Sequence, residues 1–193
     1  PEQTVTIFKA YDIRGTYPDQ IDTNIARRIG AALVRKLECK TLVVGHDMRT
    51  MAQEITDAFI DGITGQGGSV IDIGLASTPA VYYAIGELPC DAGVVVTASH
   101  NPKQYIGFKI TREGTKPMSG DSGIKELQAM VESEDPLAPL ENGHGTRDQV
   151  DIKERFIGRM LDFAKGIQPM KIAVDYANGM GAAEAPEIFA RIP

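Results

Sequence analysis

Cysteine is scarce in this chain. Two in 193 residues, Cys39 and Cys90, make neither a CxxC pair nor a disulfide framework, which points to a reducing cytoplasm. Long apolar runs are missing too. Nothing approaches the ~18 residues of a membrane span, and the N-terminal stretch has no hydrophobic region of signal-peptide type. The expectation is a soluble intracellular protein. There is no basic excess: 20 Lys and Arg face 26 Asp and Glu, a net charge of −6. A nucleic-acid or anionic-membrane surface would need clustered positive charge, although a local phosphate pocket of a few Arg and Lys remains compatible. Low-complexity tracts are absent as well. What is present is a 42% hydrophobic chain, enough to bury a sizeable core in one domain, or in one domain and part of another.

Taken in order, Val5-Thr6-Ile7-Phe8 predicts a short strand, followed by a polar loop, Lys9-Ala10-Tyr11-Asp12-Ile13-Arg14-Gly15. A planar guanidinium before a glycine can hold a phosphate by two bonds at once, or can be a solvated surface cation. Ile25, Ile29, Ala32, Leu33 and Leu37 share one face of a helix for which Thr23 is the expected cap. Thr41–Gly45 reads as a buried strand with His46-Asp47-Met48-Arg49 as its carboxyl-end loop. Thr50 and Gln53 form a capping-box pattern for a second helix. The run Gly62–Gly68 superficially suggests a dinucleotide fingerprint, but it follows a helix and precedes a strand, the wrong order. It reads as a helix C-cap and connector. Val70–Gly74 is a third strand, and Thr78-Pro79 a helix start.

Val94-Val95-Val96 then begins as a continuous β-branched run, the pattern of a strand buried on both faces. It ends abruptly in Thr97-Ala98-Ser99-His100-Asn101-Pro102. Loops at the carboxyl ends of such strands are where open α/β sheets bind ligands. A serine raised there beside a histidine can act as a nucleophile or group carrier. The same residues also make an ordinary turn. Ile106–Ile110 alternates and predicts an antiparallel edge hairpin, and Ser119 is the expected cap of a helix facing inward with Ile124, Leu127 and Val131. Residues 134–149, with two prolines and two glycines, are the best linker candidate. Beyond them lie a helix with Ile152, Phe156 and Met160 on one side, a strand at Lys171–Asp175 and a last helix. That strand has no predicted partner, so the chain is expected to stop inside a second domain. The fold expectation is α/β: a three-layer α/β/α domain over 1–140 with a mixed, mostly parallel sheet. A linker at 141–149 and an incomplete second α/β domain over 150–193 follow it.

Several of these stretches, in this order, resemble the α-D-phosphohexomutases, and within them the phosphomannomutase/phosphoglucomutase type. They are Phe8–Gly15, Val44–Arg49, Thr97–Pro102 with Gly107-Phe108-Lys109, Lys116–Gly123 and Val174–Gly179. The Tyr-Asp-Ile-Arg opening favours that type over the glucosamine-phosphate branch. The resemblance implies transfer of a phosphoryl group between the 1- and 6-positions of a hexose through a phosphoserine and a hexose 1,6-bisphosphate, with Mg²⁺. It implies that Ser99 is the phosphoserine and, through its phosphoryl group, a metal ligand. His100 and Lys109 become the acid–base and charge-stabilising groups, Tyr11 and Arg14 contacts to the phosphorylated sugar, and Asn101 a shaper of the loop. The chemistry agrees, because phosphoryl transfer depends on positioning and on neutralising charge spread over three oxygens, and imidazole exchanges protons near neutral pH. Two positions depart from the family pattern: Ile106 stands in place of an asparagine, and His46 in place of an arginine. The family's aspartate metal loop, sugar-selecting loop and second phosphate loop have no counterpart here. The expectation is therefore a catalytically incomplete fragment whose partner is a hexose phosphate, with no nucleic acid and no membrane, and with its oligomeric state unread. The alternative is a stand-alone, non-catalytic phosphosugar-binding or interaction module.

Overall fold

The computed structural model describes residues 6–141 and 144–192. The strands are β1 (Ile13–Thr16), β2 (Thr41–His46), β3 (Ser69–Leu75), β4 (Ala92–Val96), β5 (Tyr105–Arg112), β6 (Lys116–Pro117) and β7 (Arg147–Gln149). The helices are α1 (Thr23–Leu37), α2 (Ala52–Gly65), α3 (Thr78–Glu87), α4 (Ile124–Glu132), α5 (Lys153–Phe163) and α6 (Gly181–Arg191). The strands form one sheet in the order β1-β5-β4-β2-β3-β7, with β6 paired to β5. From β4 through β2 and β3 to β7 the strands run parallel. The strand β5 is antiparallel to β1, β4 and β6.

Side chains leave a strand alternately to its two faces, and the core divides accordingly. Leu42, Val44, Val94, Val96, Phe108 and Ile110 pack under α1, α2 and α4. Val43 and Val95 face Val81 and Ile85 of α3 and Phe156 of α5. Helices on both faces of a mixed sheet give the expected three-layer α/β/α architecture. The strand β4 is apolar throughout, and β2 is apolar between Thr41 and His46, because neither face of either meets water.

Close approach sets the packing of α1 on α2. A Cβ on Gly30 would lie 2.1 Å from the Phe59 carbonyl oxygen, and one on Gly62 would lie 2.0 Å from that of Arg27. The two helix backbones touch through these glycines, so Gly62 belongs to a helix contact rather than to the connector expected of it. Backbone cannot rotate aside as a side chain can.

Other expectations also shift. The cap of α1 is Asp22, whose Oδ1 accepts from the Ile25 amide at 2.8 Å, one residue before Thr23. The cap of α3 is Ser77 rather than Thr78. The helix α2 begins after Met51 with no side-chain cap, and Gln53 instead donates to Asp57. Ser119 caps a short 3-10 turn, reciprocally with Ser122, just ahead of α4. Part of the expected first strand, Val5, lies outside the described residues; Phe8 forms a single bridge to Ile13. The strand begins later, at Ile13, so Arg14 is a strand residue. Because β1 takes the edge, β5 lies inside the sheet rather than at its margin. Gly107 permits this: a Cβ there would be 2.1 Å from the Ile13 carbonyl oxygen.

The stretch read as linker contains β7. Asp72, 3% exposed, accepts both Nε and Nη2 of Arg147 at 3.0 and 2.7 Å, and Arg147 also reaches Asp57. An ion pair, not apolar alternation, docks this strand, which is why the sequence pattern missed it. Lys171–Asp175 forms no strand, since no described strand lies beside it to satisfy its backbone. Ile172 and Val174 are 58% and 46% exposed. The helix α6 attaches by charge, through Lys153–Glu187 at 2.6 Å, Arg191–Glu154 at 2.9 Å and a Glu184 oxygen that accepts from the Ser77 amide.

Substituting Gly62→Ala should destabilise the chain by about 2 kcal/mol through overpacking, outweighing the roughly 1 kcal/mol that alanine gains as a helix former. Urea unfolding measures it. An unchanged midpoint would mean that the helices separate without cost.

Candidate active site

Parallel pairing of β2 with β4 brings His46 level with Val96. The two strands therefore end together, and the loops after them lie side by side. The Asp47 amide donates to the Val96 carbonyl at 3.0 Å, and the Thr97 amide to that of Gly107 at 2.9 Å. Beyond this last rung the β4 loop turns up into solvent. Ser99 and His100 are exposed while Thr97 and Ala98 beneath them are buried.

Ser99 has a φ of +52°, in the left-handed region. That conformation costs a serine roughly 1 kcal/mol or more and must be held by its surroundings. Both of its peptide groups are held. Its amide donates to Thr97 Oγ1 at 2.9 Å, and its carbonyl accepts from Arg49 Nη2 at 3.0 Å. Arg49 also donates to the carbonyls of Asn101 (2.7 Å), Pro102 (2.8 Å) and Tyr105 (3.1 Å). Its side chain is 7% exposed, and its Nε lies 3.3 Å from Asp47 Oδ2. The same Asp47 oxygen accepts the Thr97 hydroxyl at 2.6 Å, and Asp47 Oδ1 accepts the Arg49 amide at 3.0 Å.

A second arginine braces the loop from the β1 side. Arg14 Nη1 donates to the Ala98 carbonyl at 2.8 Å and to Asn101 Oδ1 at 2.6 Å, and Nη2 pairs with Asp12 at 2.6 Å. Its side chain is 14% exposed. Asn101 is thus gripped at both its side chain and its carbonyl.

The loop forms one wall of a cleft of about 1030 Å³. Ser99, His100, Asn101 and Lys103 face the loop Met48–Met51, Tyr17 and the turn Tyr176–Gly179. Of the six side chains expected at the site, Ser99, His100 and Asn101 line this cleft. Arg14 reaches it only through Asn101 and Ala98. Tyr11, 73% exposed, stands on the loop before β1, whose Ala10 carbonyl accepts the Gly120 amide. Lys109 projects to the opposite face of the sheet from Phe108, with its Nζ 5.6 Å from the centre of the Tyr82 ring. The two departures from the family pattern have plain places. Ile106 is fully buried in the core opposite Gly15, and His46, 8% exposed, turns its Nδ1 to the Asp47 carbonyl.

Residue-by-residue reading missed Asp47, Arg49, Thr97 and Lys103. The available signal was the Asp-x-Arg spacing directly after a buried strand, where a carboxylate and a five-donor side chain can serve a neighbouring loop. Competing nucleophiles are weak. The Cys39 thiol is pushed up to about 11 by burial and by the Asp91 charge, and the Cys90 thiol is raised for the same reasons. The Tyr17 phenol is raised by the hydrogen bond it donates to Glu54, then by desolvation and the Glu54 charge, so it stays protonated at neutral pH. Among the described residues, no group of three or more His, Cys, Asp or Glu side chains is placed to hold a metal ion. Asp47, the carboxylate nearest the serine in this network, is already engaged by Thr97 and Arg49. These side chains do not by themselves fit a Mg²⁺ site. Among the described residues, too, no helix is long and apolar enough to cross a membrane.

Fold and site together define an α/β/α domain that displays a backbone-locked serine at the carboxyl end of a central parallel strand. Comparison with known proteins places that domain. Residues 5–138 match the family description "Phosphoglucomutase/phosphomannomutase, alpha/beta/alpha domain I", and the chain belongs to the phosphoglucomutase/phosphomannomutase family. It is 35% identical over 189 residues to a phosphomannomutase of Escherichia coli, covering 97% of this chain and 42% of that protein. A phosphomannomutase of Vibrio cholerae is 37% identical over 195 residues, with the same coverage of each. The crystal structure of a phosphoglucomutase/phosphomannomutase family protein from Burkholderia thailandensis superposes with a TM-score of 0.84 at 35% identity, over 95% of this chain and 41% of that one. The chain thus spans about two fifths of the length of these relatives.

Arg49→Ala should destabilise the protein by about 3 kcal/mol, because it strands a buried carboxylate and frees four carbonyls. Arg49→Lys should recover less than half of the loss, since an ammonium cannot reproduce the fork. Denaturant titration reads both, and an Arg49→Lys variant as stable as the parent would contradict the clamp.

Proposed function

We propose that this chain is the phosphoserine-bearing part of a phosphohexomutase, which moves a phosphoryl group between the 1- and 6-positions of a mannose or glucose phosphate. The observation that carries this reading is the left-handed, doubly anchored Ser99 at the mouth of the cleft. In this scheme the serine Oγ carries the phosphoryl group. A sugar hydroxyl attacks the phosphorus, the bond from phosphorus to serine oxygen breaks, and the sugar becomes a 1,6-bisphosphate. Return of its other phosphoryl group to Ser99 completes the exchange. His100, exposed beside Ser99, takes and returns the hydroxyl proton. Lys103 and the buried guanidinium of Arg49 supply positive charge on the side where the phosphoryl oxygens would lie.

Arg14 and Asn101 act in this scheme by shaping the loop. For Arg14 this stands beside the sugar contact that the resemblance implies: Nη1 holds Ala98 and Asn101 and Nη2 holds Asp12, while its buried Nε has no hydrogen-bond partner. Lys109 and Tyr11 are assigned by resemblance as a charge-stabilising group and a sugar contact, and both stand outside the described lining of the cleft. Mg²⁺, if used, would take the Ser99 phosphoryl group as one ligand. The other ligands would have to come from outside the described residues.

Incubation with glucose 1,6-bisphosphate followed by phosphopeptide mapping should place phosphate on Ser99. In the whole protein, Ser99→Ala should lower kcat by about 10³-fold or more, as for loss of a covalent carrier. Turnover unaffected by Ser99→Ala, or phosphate found only at another residue, would refute the assignment.

A further inference from the structure

We infer that Thr97 and Asp47 are positioning residues that set the left-handed backbone of Ser99 through a one-way hydrogen-bond relay. The geometry of the relay stands on its own, and its consequence for catalysis rests on the reading of Ser99 as phosphoryl carrier. A threonine hydroxyl has one proton to donate and lone pairs to accept with, whereas a carboxylate only accepts. The 2.6 Å contact from Thr97 Oγ1 to Asp47 Oδ2 therefore commits that single proton to Asp47. Oγ1 is left as an obligate acceptor, and the Ser99 amide meets it at 2.9 Å. Asp47 lies on the loop after β2 and Ser99 on the loop after β4, so the relay crosses between neighbouring strand ends.

Asp47 fixes the other side of Ser99 as well. The same Oδ2 lies 3.3 Å from Arg49 Nε, and Arg49 Nη2 holds the Ser99 carbonyl. One carboxylate oxygen thus orients the groups that grip Ser99 from both sides. Thr97 and Asp47 are 4% and 5% exposed, so water cannot readily substitute for either. The direction of the relay is its testable core. An amide at position 47 can present N–H to Thr97 and turn the hydroxyl round, which sets its proton against the Ser99 N–H. Valine at position 97 keeps the shape and removes the acceptor. Either change frees Ser99 to leave the left-handed region, carrying Oγ away from the cleft.

Amide hydrogen exchange by NMR on the ¹⁵N-labelled chain tests the relay without any enzymatic assay. Thr97→Val and Asp47→Asn should each speed exchange at Ser99 about tenfold while Val94 and Val96 stay slow, and Thr97→Ser should remain within about twofold of the parent. A Ser99 amide as slow in Thr97→Val as in the parent would overturn the inference. So would Thr97→Ser behaving like Thr97→Val. Asp47→Asn is the more disruptive variant, and the comparison of valine with serine at position 97 decides the matter if it fails to fold. Phosphorylation of Ser99 by saturating glucose 1,6-bisphosphate supplies a second readout. It should slow about tenfold in Thr97→Val and recover in Thr97→Ser. A parent chain that takes up no phosphate under these conditions counts against the carrier reading alone, because the exchange data still decide the relay.

Discussion

One buried carboxylate organises the displayed loop. Removing a charge from water costs several kcal/mol unless partners replace the lost hydration, and Asp47 is 5% exposed. Its partners are the Thr97 hydroxyl, the Arg49 Nε and the Arg49 amide. The first belongs to the loop that carries Ser99, the second is part of a side chain that reaches into it, and the third ties the carboxylate to its own loop. Satisfying the carboxylate therefore also fixes the loop. None of this would be available without the register of the sheet, because Asp47 and Thr97 are neighbours only as the first residues past the paired ends His46 and Val96. The apolar run that buries β2 and β4 is thus the cause of the site as well as its support. It carries two strands to the same height and stops both there.

Much of this was legible from residue order. Apolar runs with abrupt polar ends identified β2, β3 and β4, helical spacing identified α1, α2 and α4, and the Ser99 loop stood out as the place where a buried strand meets solvent. What escaped has common physical causes. Caps slipped by a residue because neighbouring polar residues, Asp22 and Thr23 or Ser77 and Thr78, can each serve, and only backbone geometry selects between them. The strand β1 was hidden because Ile-Arg-Gly-Thr is short and has a single large apolar side chain, although its burial alternates; its pairing rests on the missing side chain of Gly107. The strand β7 was hidden because it is docked by Arg147 on Asp72, a pairing 75 residues apart. Lys171–Asp175 has the composition of a strand and none of the pairing, since β propensity only describes what suits a half-buried pleated surface. Locally it reads as β; among the described residues no strand pairs with it.

The two arginines show the same limit at the site. Arg14 was legible as a functional cation and its grip on the loop was not, because a guanidinium before a glycine looks alike whether or not it holds a carbonyl. In the fold it holds one, as does Arg49. The Nε, Nη1 and Nη2 of Arg49 are all engaged, whereas the buried Nε of Arg14 has no partner; both side chains keep their charge. A charge-bearing group fixed in a poorly hydrated site stabilises developing negative charge without having to reorganise. Arg14 is partly neutralised by Asp12 and Arg49 by Asp47, so neither offers a free unit of charge. Lys103, an exposed cation on the Ser99 loop, is the one able to move toward an anion.

The result is a site of two mechanical halves. The serine loop is tied by side chains from β1 and from the loop after β2, all anchored in a sheet whose central strands are fully buried. The opposite wall, Tyr176–Gly179, is a turn closed by its own backbone and by Asp175, and the segment leading to it exposes Met170, Ile172 and Val174. Helix α6 beyond it buries none of its residues and is attached by ion pairs. Surface ion pairs contribute at most about 1 kcal/mol each and weaken with salt, whereas Asp47, Thr97 and the Arg49 side chain under Ser99 are buried and hydrogen-bonded to one another. The interactions differ in kind on the two sides: buried, hydrogen-bonded side chains converge on Ser99, and exposed ion pairs hold the helix that follows the Tyr176–Gly179 turn.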